Sequence, residues 1–112
     1  MKNMVSEGDT LDFIAPAGGV TGGSGILIGV AFGIVVASVA AGETGTAKLR
    51  GEYDQPAEGG AGLDIAQGGL VYWDNANKRM TKTAAGNTKV GYATVAKAAA
   101  DTSVRLRLVA AI

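Results

Sequence analysis

The chain has 112 residues with ten basic and ten acidic side chains, and it holds neither cysteine nor histidine. That length suits one small domain able to bury roughly 60 to 70% of its unfolded surface, so one domain spanning residues 1–112 is expected. The composition excludes a disulfide framework, thiolate zinc sites, thiol nucleophiles and the commonest general base, and so disfavours most hydrolase and metalloenzyme schemes.

The opening MKNMVSEGDTLD lacks the apolar core and cleavage site of a signal peptide, so residence in the cytosol is expected. Lys2, Asn3, Met4 and Val5 could form an arm that orders on a neighbouring subunit or on a larger assembly, although short terminal segments are more often simply mobile. Glu7, Asp9 and Asp12, with Glu43, do not have the tight spacing of a calcium loop, and a solvated acidic face is the better reading. No serine has a partner base that would make it a nucleophile.

Residues 13–42 carry no charge, and three readings compete for them. A membrane span would use the dense apolar part, residues 25–41, with Gly29 and Gly33 as a helix-dimer motif; the stretch is short for a span and no basic residue flanks it closely. A dinucleotide loop would use Gly23 and Gly25, but Ile28 stands where the third glycine belongs, and no P-loop lysine follows. The third reading makes Gly25 and Gly33 punctuation around ILIGV and GIVVASV, as two buried strands or one bent strand.

The rest of the chain favours strands. TAKLRGEYD, residues 46–54, alternates Ala47, Leu49, Gly51 and Tyr53 with Lys48, Arg50, Glu52 and Asp54, the period of a half-buried strand. LVYWDNANKRMTKT, residues 70–83, reads as a hairpin with Asp74 opening the turn. Trp73 and Tyr72 must face opposite ways, with Trp73 favoured as a structural anchor over an interface contact. A further strand follows Asn87, and SVRLRLV closes the pattern with Val104, Leu106 and Leu108 on one side and Arg105 and Arg107 on the other. Residues 64–68 admit a short helical turn, and residues 97–101 contain helix formers too few to hold a helix alone.

Charge is unevenly divided, with three bases against eight acids in residues 1–64 and seven against two in the remainder. Interleaving of both halves within one domain is the plainer expectation; complementary docking faces are the sharper one. Singly spaced bases without aromatic interleaving argue against direct nucleic-acid binding.

Taken in order, EGDTLDFIAPAGGVTGGSGILIG, VAFGIVVASVAAGE, LRGEYDQP, IAQGGLVYWD and NTKVGYATVAKAAADTSVRLRL resemble the capsid cement, or head-decoration, proteins of tailed phages and prophages. The resemblance spans nearly the whole chain and rests on the ordered set rather than on one sharp motif. It implies a non-enzymatic structural protein, made in the host bacterial cytoplasm and bound to the virion capsid surface. Its partner would be the major capsid protein, and it would act as a homo-oligomer with a trimer favoured. Neither cofactor nor metal is implied. The expected fold is all-β: a small glycine-rich antiparallel barrel or sandwich, β-tulip-like, with at most one or two short helical turns. Two other classes compete, a small membrane-inserted protein using residues 25–42 and a β-barrel ligand-binding module.

Overall fold

The computed structural model describes residues 8–109, and among these every regular element is a strand. β1 is Thr10–Ile14, β2 Gly25–Ile28, β3 Ala31–Val35, β4 Thr44–Lys48, β5 Glu52–Pro56, β6 Leu70–Asp74, β7 Arg79–Thr81, β8 Thr88–Ala93 and β9 Ser103–Leu108. They form two antiparallel sheets, one of four strands in the order β1-β4-β3-β2 and one of five in the order β5-β9-β8-β6-β7. The chain fills the first sheet before starting the second.

The uncharged stretch becomes a hairpin. Ile28 pairs with Ala31 across Gly29 and Val30, and Gly29 has φ of 61°. A two-residue hairpin loop with a positive φ at its first position calls for glycine. Gly33 lies inside β3 instead of punctuating it, and β3 stops at Val35; Val39 makes only an isolated bridge to Val20. No helix of the described residues is long and apolar enough to cross a membrane.

Residues 46–54, expected as one strand, are two. The residue types alternate throughout, but the chain leaves the four-stranded sheet after Lys48 and enters the five-stranded one at Glu52. Gly51, at φ of 117°, makes the crossing. Tyr53 folds over it and donates its hydroxyl to the Arg50 carbonyl at 2.6 Å. Gly51, on the expected inward side, is exposed between exposed Arg50 and Glu52, because the pattern of residue types continues through a change of sheet to which periodicity is blind.

The five-stranded sheet curls until its outer strands meet. Ala57 and Met80 form a parallel bridge, and the Glu58 N–H donates to the Met80 carbonyl at 2.8 Å. Inside lie Val71, Trp73, Met80, Val90, Ala93, Val104, Leu106 and Leu108. Burying each of the larger aliphatic members contributes on the order of 1.5–3 kcal/mol. On β9 the burial alternates residue by residue, as Val104, Leu106 and Leu108 require. A bulge at Val90 shifts the β6/β8 register between Val71 and Tyr72, so Val90 and Gly91 are both buried.

A smaller core fills the four-stranded sheet, where Phe13, Ala15, Val35 and Ala47 are joined by partly buried Val20, Ile26, Ile28 and Val39. Phe13 pairs with Gly45, and a Cβ there would meet the Phe13 ring at 2.8 Å. Glycine opposite an aromatic lets the ring lie flat over the backbone. The two cores touch through β3, because Ile34 belongs to the larger one and Leu27 and Phe32 pack against it.

The helical turn expected at residues 64–68 is absent. Ile65 is buried, and it exchanges two main-chain hydrogen bonds with Lys97, at 3.0 and 2.7 Å. That bridge needs extended backbone on both sides. Residues 97–101 likewise form a turn, closed by the Asp101 N–H on the Ala98 carbonyl and by the Asp101 carboxylate on the Ala98 N–H.

Candidate interaction surfaces

Trp73 is an anchor. It is 2% exposed, its ring lies 4.9 Å from that of Phe32 at 46°, and its indole N–H donates to Asn75 Oδ1 at 3.0 Å. Gly25 completes the nest, since a Cβ there would stand 2.7 Å from Phe32 and 2.9 Å from Trp73. Tyr72, facing the other way, is half-exposed. Asp74 opens the β6/β7 turn as expected, accepting from the N–H groups of Ala76 and Asn77 and from the Asn77 side chain. Those bonds, the Asn77 side chain first, hold the Asp74 carboxyl below the usual aspartate range.

The acidic residues separate instead of clustering. Asp9 pairs with Arg50 at 2.9 Å, Asp12 accepts from the Thr46 hydroxyl at 2.9 Å, and Glu43 is exposed. No group of three potential metal ligands occurs among the described residues. Lys2, Asn3, Met4, Val5 and Glu7 lie outside the described residues.

The charge asymmetry resolves within the molecule. Glu58 pairs with Arg79, Asp64 with Lys82 and Asp54 with Arg105, each joining an acid of the first half to a base of the second. Asp54 and Arg105 are register partners on β5 and β9, and the guanidinium donates to both carboxylate oxygens at 2.9 and 3.1 Å. These bonds hold the Asp54 carboxyl low and raise Arg105. Lys97 departs from the expectation that charges pair or spread over the surface. It is 4% exposed, and its ammonium donates to the carbonyls of Leu63 and Ala98, both at 3.1 Å. Sequence reasoning missed it, because a lysine beside three alanines has the pattern of a solvated turn.

A groove of about 1110 Å³ runs beside the four-stranded sheet. Its walls are β1, the glycine-rich segment leading into β2, β2 itself, and Gln55, Pro56, Trp73, Asn75 and Lys78 from the other sheet. Gln55 is 5% exposed; its Nε2 donates to the Gly23 carbonyl at 2.9 Å, and its Oε1 is buried without a hydrogen-bond partner among the described residues. Sequence reasoning missed this burial, because the alternating strand it expects ends at Asp54, one residue short of Gln55. It missed the groove as well, since that depends on how the sheets approach each other. Six large apolar residues, Ile14, Val30, Val36, Leu70, Val95 and Val109, stay exposed at strand ends and turns.

Residues 5–108 match a family model described as phage cement protein. No curated protein and no solved structure matches the chain.

Proposed function

Because the chain belongs to the phage cement protein family, a family with a capsid-associated structural role, we propose that it binds the outside of the assembled capsid. There it bridges neighbouring major capsid protein subunits and stabilises the DNA-filled head. The family match over residues 5–108 carries this reading. The fold supports it: a body built of two joined β layers presents a fixed surface, and weak contacts repeated over a lattice add up without any single tight site. The protein acts without catalysis or cofactor, as a homo-oligomer with a trimer favoured, placed at three-fold or quasi-three-fold positions of the shell.

The test is co-sedimentation of the purified protein with undecorated, expanded heads of its own phage, scoring copies bound per capsid subunit and head survival on heating. Saturable binding at a fixed ratio with raised heat resistance is expected. Failure to bind correctly expanded heads would overturn the reading. Light scattering of the free protein measures whether the trimer precedes binding.

A further inference from the structure

The outer side of β5 and β9 is striped by charge. Glu52 and Asp54 stand on β5, and Arg107 and Arg105 stand beside them in register on β9. All four are exposed. Leu106 and Leu108 are buried and Tyr53 packs against the larger core, so the alternation of each strand holds the four charges outside. One column is acidic and its neighbour basic, separated by the strand spacing of about 4.8 Å.

The two register pairs behave differently. Arg105 donates to both Asp54 oxygens, which closes that pair on itself. Glu52 and Arg107 instead turn away from each other: Glu52 accepts from the Thr94 hydroxyl at 2.6 Å, and Arg107 donates to the Tyr92 hydroxyl at 3.4 Å. The Arg107 contact is long for a hydrogen bond, so this guanidinium keeps donors for a carboxylate. Glu52 gives one oxygen to Thr94, and a carboxylate has two that accept. Opposite charges in adjacent columns also make the face complementary to itself. A two-fold axis between β5 and β9, parallel to both, lays the acidic column of one copy over the basic column of another. Glu52 then meets Arg107 and Asp54 meets Arg105, twice over, in an isologous contact that closes at two copies. Because the sheet curls, its outer side is convex and the copies touch along a strip, a weak contact that gains strength when repeated.

We propose that the outer side of β5 and β9 is a two-fold contact between copies of this chain, in which Glu52 and Arg107 of one copy meet Arg107 and Glu52 of the other. The contact is separate from the three-fold association proposed above. It forms in the free protein, so it does not depend on capsid binding and would survive the failure of that reading.

Charge reversal in separate chains tests it, because the contact joins position 52 of one copy to position 107 of the other. Sedimentation velocity over a concentration series should show the sedimenting mass of the unaltered protein doubling reversibly, and less so as salt is added. Glu52→Arg alone and Arg107→Glu alone should each weaken the doubling about tenfold, since like charges then meet twice across the axis. An equimolar mixture of the two variants should restore it, because opposite charges face each other again in both halves of the mixed contact. Misfolded variants could not be rescued by mixing. Lys89→Glu, on exposed β8 surface beside the strip, changes the net charge as Arg107→Glu does and should leave the doubling unaltered. Absence of doubling in the unaltered protein would overturn the proposal, as would a mixture that stays undoubled, a doubling indifferent to salt, or an equal loss in Lys89→Glu.

Discussion

Gly91 shows how little room the larger core leaves. A Cβ there would fall on the Arg107 carbonyl oxygen of β9, a main-chain atom that cannot move without breaking the β8/β9 ladder. Gly91→Ala should therefore cost about 3 kcal/mol, at the upper end of overpacking effects, and lower the urea midpoint with little change in slope. Titration supplies a second expectation at this scale. Asp54 and Asp74 ionise more easily in the folded chain than at their reference value of 3.8. A carboxyl with a depressed folded pKa adds stability that is present above its unfolded pKa and lost as pH falls through the folded one. The thermal midpoint should thus drop on acidification below about pH 4. Asp54→Asn should flatten that drop, because the ion pair with Arg105 no longer titrates. Both carboxyls are solvent-facing, so each effect is small.

At the level of elements, closure of the five-stranded sheet brings a short strand against the end of β5 through the Ala57–Met80 main-chain bridge and one side chain. β7 has three residues, and Glu58, just beyond β5, accepts from Thr81 at 2.9 Å and from Arg79 at 3.2 Å. Glu58→Ala should cost about 1–2 kcal/mol, since the bonds are charge-assisted yet partly exposed. The Met80 region should lose exchange protection before the rest of the sheet. Element by element, the sequence was legible where one strand lay against one core. The β9 alternation and the turn at Asp74 follow the pattern of their residues. It was misleading at residues 46–54, where Gly51, expected on the inward side, is exposed and passes the chain between sheets. It also failed at Ile65, whose extended bridge to Lys97 outweighs a local preference for a helical turn. Neither the sheet change nor the bridge leaves a local signature.

For the whole molecule the decisive feature is the junction between the two sheets. Ile34 of β3 belongs to the larger core, Leu27 and Phe32 pack against it, and Gln55 bonds the Gly23 carbonyl. Sheets coupled in this way should unfold together. One calorimetric transition, with van't Hoff and calorimetric enthalpies in agreement, is the expected outcome; two resolved transitions would show separate units. The long-range ion pairs act in the same sense, because three of them join the acidic first half of the chain to the basic second half.

The sequence by itself determined the class of the fold, the inward and outward sides of its clearest strands, its hairpin at Asp74 and the family to which it belongs. Those properties are local or distributed along the chain: side-chain alternation, turn chemistry, and an ordered set of segments. Tertiary structure alone decided where the chain changes sheet, that Ala57 meets Met80 to close the larger sheet, that Lys97 is buried on two carbonyls, and that β1 and β2 wall a groove. Each of these depends on groups far apart in sequence, whose approach is set by the packing of both cores.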